Sequence, residues 1–149
     1  MLEKSFVRPD WDTYYIRLAQ VVASRATCCR RSVGCVLVDH RMRVLATGYN
    51  GRPRGWPHCI EAPCAGVDAP SGESLDRCEA IHAEQNALLQ CHDVDAIDTC
   101  YVTTPPCIHC TKLLLNTGCR RIVCAGDYPH AERSRELWER DGRRWVEVR

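Results

Sequence analysis

Lysine is scarce in this sequence, with two against eighteen arginines, and acids balance the total to a formal net charge of +1 over 149 residues. No run of like charges and no long basic stripe is present, so the chain lacks the footprint of a polynucleotide-binding surface. No apolar stretch reaches the roughly 20 residues that a membrane-spanning helix needs. Met1 to Asp10 is charged and has no apolar centre, so neither a secretory leader nor a membrane partner is expected. Internal repeats and low-complexity tracts are also missing. The length suits one domain, residues 1–149, able to bury about two-thirds of its unfolded surface in a single core. What the chain has in abundance is cysteine, twelve in all. Without a leader, a secreted disulfide scaffold is disfavoured. Paired cysteines beside histidines point instead to metal sites in a reducing cytoplasm. Cys91, Cys100, Cys119 and Cys124 lie in apolar, periodic contexts and are expected to be small core residues.

The chemistry concentrates between Cys78 and Cys110. His82, Cys107 and Cys110 offer one imidazole and two thiolates, a three-ligand zinc set that leaves a fourth tetrahedral position open for water. Cys107 and Cys110 are three apart after Pro105-Pro106, and proline favours the first turn of a helix, so both sulfurs share a helix face. Free N–H groups of that turn favour thiolate over thiol. His82 and Glu84, two apart, diverge in mid-helix and converge only at a helix entrance. The strongly helix-forming run from Ala83 supplies that entrance. Glu84 is then a carboxylate beside the metal that need not be a ligand. A lone Cys-x-x-Cys also fits half of a structural zinc site or a redox pair. The joint pattern, His-x-Glu followed by Pro-Cys-x-x-Cys, matches the known signature of zinc nucleobase deaminases.

Elsewhere, periodicity predicts a helix from about Thr13 to Arg25, with Tyr15, Leu18, Ala19 and Val22 on its apolar face. A buried strand over 33–38, a hairpin loop at 39–43 and a returning strand over 44–49 follow. Residues 50–57 are dense in turn formers and arginine, and an irregular segment extends to Arg77. Helices are expected over 83–92, 106–117 (with Gly118 as C-cap) and 131–141 (stopped by Gly142). Strands are expected over 99–104, 121–125 and 145–148. Strands alternating with helices in the second half imply parallel neighbours in a mixed sheet covered on both faces.

Several stretches outside the metal motif also resemble one family. These are Cys28 to Val38, Gly48-Tyr49-Asn50-Gly51-Arg52-Pro53-Arg54-Gly55 followed by His58-Cys59, His82 to Leu88, and Pro106 to Cys110. Together they resemble the deoxycytidylate (dCMP) deaminase family of the cytidine deaminase superfamily, over nearly the full length. The resemblance implies an α/β fold with three α/β/α layers, a five-stranded mixed sheet with helices on both faces. It implies hydrolysis of the 4-amino group of dCMP, giving dUMP and ammonia, with Zn²⁺ on His82, Cys107 and Cys110 and Glu84 as proton carrier. It places Asn50 against the sugar 3′-hydroxyl and Tyr128 near the nucleotide. Arg30, Arg31 and Arg54 are candidates for the phosphate. Some family members are hexamers, activated by dCTP with Mg²⁺ and inhibited by dTTP. That implies a homo-oligomer and an effector site at Tyr49, Gly51, Arg52 and Arg54.

The resemblance further implies a second, structural zinc. Cys28 and Cys59 match positions that hold such a metal in some relatives. In those relatives the other ligands come from the insertion before the His-x-Glu helix, here Ile60 to Arg77, so Cys64 within it and Cys78 at its end complete a Cys₄ set, with His58 as substitute. Closing a long loop on a metal offsets much of its conformational entropy. Three alternatives remain at this point: another cytosine nucleotide (dCTP, CMP or a modified dCMP), a base in RNA or DNA, and a zinc-stabilised binding module. Near-neutral charge opposes the second. Glu84 opposes the third, because a structural site gains nothing from a carboxylate beside an open position.

Overall fold

The computed structural model describes residues 7–149. Helix α1 (Trp11–Ala23) starts two residues earlier than its periodicity suggested. Asp10 is its N-cap, accepting the Thr13 N–H at 2.7 Å. Strands β1 (Gly34–Val38) and β2 (Val44–Tyr49) form the expected hairpin. The order continues α2 (Ala83–Gln90), β3 (Thr99–Val102), α3 (Ile108–Leu115), β4 (Arg121–Cys124), α4 (Ala131–Glu139) and β5 (Arg144–Glu147), with a 3₁₀ turn over Val94–Ala96. The sheet runs β2-β1-β3-β4-β5, antiparallel on the β1 side and parallel from β3 to β5. It is the mixed, five-stranded sheet expected.

Alternation along β1 divides the core. Val36 and Val38 pack with Tyr15, Ile16 and Ala19 of α1 on one face. Cys35 and Leu37 pack with Ala83, Ala87, Leu114 and Trp138 from α2, α3 and α4 on the other. Three layers result. All five residues of β1 and all four of β3 are buried, as strands covered on both faces must be.

Two glycines serve close backbone packing. At Gly48 of β2, an added Cβ would lie 2.3 Å from both Ala83 O and Ala87 N, so glycine lets α2 lie directly against the strand. Gly118 is not the C-cap of α3, which is Asn116. A Cβ at Gly118 would lie 2.0 Å from Asp95 O, so its glycine serves close backbone packing and not a left-handed cap. The prolines also sit differently from expectation. Cys107 is itself the N-cap of α3, placing Pro105 and Pro106 ahead of the helix and not in its first turn. Cys100, Cys119 and Cys124 are fully buried, whereas Cys91 is half-buried at the C-cap of α2. No described helix is long and apolar enough to cross a membrane.

Candidate active site

The topology brings distant residues to one end of the sheet. Because β1 is antiparallel to β3, with Cys35 opposite Val102, the residues before β1 meet those following β3. The carboxyl ends of β2 and β4 open at the same end of the sheet. An open cavity forms there, lined by Arg30, Arg31, Val33, Asn50, Thr104 and Tyr128 together with the starts of α2 and α3. Its position at the carboxyl ends of parallel strands is where open α/β sheets hold ligands.

His82 is the N-cap of α2, in extended conformation, with its own N–H donated to Gln85 Oε1 at 2.8 Å. This is the helix entrance that lets His82 and Glu84 face one point. His82 Nδ1 lies 3.4 Å from both Cys107 Sγ and Cys110 Sγ. A tetrahedral zinc with ordinary Zn–N and Zn–S lengths sets such ligands about 3.6 Å apart, so the three side chains fit Zn²⁺. Among the described residues they are the one group of three or more His, Cys, Asp or Glu whose ligand atoms lie within 4.8 Å of one another. The Cys110 thiol and His82 both direct hydrogens at Cys107, and its thiol is pulled down to about 4. The Cys110 N–H points at the same sulfur from the first turn of α3, at 3.5 Å. Cys107 is therefore the first of the pair to ionise, and its sulfur in turn raises His82.

Glu84 is only 4% exposed, in the first turn of α2. Burial raises its carboxyl above the usual range, and it reaches the Cys110 thiol. A buried carboxyl beside three zinc-type ligands and an open cavity is suited to accept and return protons.

The other candidates divide by what already holds them. Asn50 accepts the Val33 N–H at 2.8 Å and donates to Arg31 O at 2.7 Å, leaving one donor and one acceptor on its amide. Arg31 donates Nη2 to Asp127 O, while its Nη1 is buried with no hydrogen-bond partner among the described residues. The adjacent Arg30 turns elsewhere, its Nη1 facing backbone carbonyls of residues 66–73. Tyr128 lines the cavity, and burial raises its hydroxyl. Ser71, Gly72 and Leu75 also line it, and nothing in their irregular stretch of sequence signals that.

The effector candidates surround a separate surface concavity lined by Tyr49, Gly51, Arg52 and Arg54, with His58 and Asn86. Arg54 is exposed. Arg52 is engaged within its own loop, donating to Pro57 O, Ala62 O and Glu79 Oε2. The structure does not bring Cys28, Cys59, Cys64 and Cys78 to ligand distance. Cys28 and Cys78 line the cavity. Cys59 accepts the Cys64 N–H on its sulfur at 3.5 Å, and Cys29, absent from the expected set, donates to Cys59 O at 3.1 Å.

Residues 9–126 match the model of the cytidine and deoxycytidylate deaminase zinc-binding region. A deoxycytidylate deaminase of Saccharomyces cerevisiae is 38% identical over 138 residues, 91% of this chain and 44% of the relative. The corresponding protein of Mycobacterium phage D29 is 44% identical, over 78% of this chain and 94% of the relative. The chain thus spans less than half the length of the yeast relative but nearly all of the phage one. In fold it is similar to the dCMP deaminase of cyanophage S-TIM5 solved with dCMP and dUMP, with a TM-score of 0.76, 23% identity, and coverage of 96% of this chain and all of that one. On the match of residues 9–126, which include His82, Glu84, Cys107 and Cys110, the chain belongs to the cytidine and deoxycytidylate deaminase zinc-binding family.

Proposed function

We propose that the chain deaminates dCMP hydrolytically to dUMP and ammonia. The observation that carries this reading is Glu84, buried beside the His82, Cys107 and Cys110 set and lining the same cavity as Asn50, Arg31 and Tyr128. Zinc bound to those ligands supplies Lewis acidity, which brings the pKa of a water to about 7. Glu84 takes the proton from the attacking water as the C4–O bond forms, and passes it to ring N3. It then helps return a proton to the 4-amino group as the C4–N bond breaks and ammonia leaves. Arg31, with its unpartnered buried Nη1, is the phosphate ligand of this reading. The remaining amide donor and acceptor of Asn50 suit the sugar 3′-hydroxyl, and Tyr128 walls the nucleotide. Relatives bearing the name deoxycytidylate deaminase support the substrate class. A panel of dCMP, CMP, dCTP, deoxycytidine and a cytosine oligonucleotide tests it. The expected order places dCMP well above CMP and both far above deoxycytidine, whereas equal turnover of nucleoside and nucleotide rejects it.

The finer expectations extend this reading. Exposed Tyr49, Leu89 and Leu113 support a homo-oligomer, with a hexamer as the form to test by sedimentation. The concavity beside Tyr49, Gly51 and Arg54 suits a nucleoside triphosphate with Mg²⁺. Added dCTP is expected to make dCMP kinetics hyperbolic and dTTP to oppose it, and tight dCTP binding without kinetic change rejects regulation. A second zinc belongs to Cys59 and Cys64, with Cys28 and Cys78 turned out of the cavity to complete the set. Metal analysis then gives two zincs per chain, falling to one in Cys59→Ser. Twelve free cysteines suit a reducing cytoplasm.

A further inference from the structure

The segment between Cys64 and Cys78 has no helix or strand, yet Ser71, Gly72 and Leu75 from it line the catalytic cavity. Its own backbone bonds are short turns, such as Val67 N to Cys64 O, Ala69 N to Gly66 O and Glu73 N to Pro70 O. Among the described residues, the hydrogen bonds that tie 65–77 to other parts of the chain all start at Arg30. Its Nη1 faces the carbonyl oxygens of Gly66 at 3.2 Å, Ala69 at 3.1 Å, Pro70 at 3.3 Å and Glu73 at 2.9 Å. One guanidinium nitrogen has two hydrogens, so four oxygens share them in three-centre bonds. Four carbonyl dipoles aimed at one point repel each other unless a cation sits there.

The segment also reaches the opposite lip. Gly72 has φ +82, and a Cβ there would lie 3.0 Å from Tyr128 Oη and from His130 Cδ2. The loop carrying Tyr128 is tethered in turn by Arg31, through Asp127 O. Consecutive arginines thus hold the two lips of the cavity.

We propose that Arg30 is a positioning residue that folds 66–75 into a roof over the catalytic cavity, and that this roof confines the site to single nucleotides. Its kinetic consequences rest on the dCMP reading, while its structural consequence does not. An enzyme acting on a base within a strand needs an open path for the flanking nucleotides. A roof resting on Tyr128 and His130 closes that path on one side.

The test pairs limited proteolysis of the substrate-free full chain with steady-state kinetics of Arg30→Met and Arg30→Lys. Loss of hydrogen bonds to this half-buried charge should raise cleavage within 60–78 about tenfold or more in R30M, with other cuts unchanged, because cleavage follows the open population. R30K, which keeps a cation at the carbonyls, should lie within about threefold of the parent protein. KM for dCMP and for deoxycytidine should rise by the same factor in R30M, and oligonucleotide turnover should gain relative to dCMP. Gly72→Ala, which crowds the opposite lip, should speed the same cleavage and covers the case in which R30M does not fold. Unchanged cleavage within 60–78 in these variants overturns the proposal. So does a KM rise confined to dCMP, which makes Arg30 a phosphate ligand. A parent protein inactive on every cytosine nucleotide rejects the functional reading, while the cleavage result still decides the roof.

Discussion

His82 Nδ1 and Cys107 Sγ lie 3.4 Å apart although 25 residues separate them. Both residues are N-caps, of α2 and α3, so the starts of two helices converge on one point. The unbonded N–H groups of the first turns favour negative charge there, which suits a thiolate ligand and a carboxylate. Any disturbance of the packing of α2 against the sheet should therefore reach the chemistry.

Gly48→Ala makes such a disturbance. Its Cβ would meet the backbone of Ala83 and Ala87, which cannot rotate away. We expect a loss of about 1–3 kcal/mol in urea unfolding. Because α2 carries His82 and Glu84, kcat should fall even where the variant is fully folded. A variant as stable and active as the parent would contradict the packing account.

Arg31→Met addresses the phosphate. Loss of hydrogen bonds from a charged donor should raise KM for dCMP about 10- to 100-fold and leave deoxycytidine nearly unaffected. An equal effect on both would show that Arg31 acts only by tethering Asp127.

Asp12 joins α1 to the sheet, accepting from Tyr101 Oη at 2.9 Å and from both Nη atoms of Arg121. The Arg121 hydrogen bonds hold its carboxyl below the usual range, against partial burial. The folded-state pKa is therefore lower than the unfolded one of about 3.9. Its contribution to stability is full above that value and is lost as pH falls through the folded pKa. Asp12→Asn should lower stability at pH 7 and flatten the loss of stability of the parent below about pH 4. Parallel pH profiles would contradict the assignment.

The metal set and Glu84 were legible in the sequence because both motifs are local. His-x-Glu depends on one helix entrance and Cys-x-x-Cys on one helix turn. The sheet was legible because β1 and β3 are short runs rich in β-branched, aromatic and small apolar residues, as strands buried on both faces are. The roles of Arg30 and Arg31 were not legible. Two adjacent arginines look equivalent until backbone placement sends one to the carbonyls of 66–73 and the other to Asp127. The misread ends of α1 and α3 have a similar cause. Asp10 and Asp12 are both acceptable caps, and Cys107 caps α3 with a sulfur where a proline start had been expected. The segment before Cys78 was opaque because the groups that meet Arg30 there are backbone carbonyls, present in every residue.

The most direct measurement is zinc content and dCMP turnover of Glu84→Gln beside the parent protein. Glutamine keeps the shape and cannot carry the proton. The account predicts parent-level zinc at His82, Cys107 and Cys110, with turnover lower by about 10⁴ or more, since one carboxylate serves several proton transfers. Retention of more than about a tenth of parent turnover, with zinc in place, would contradict it.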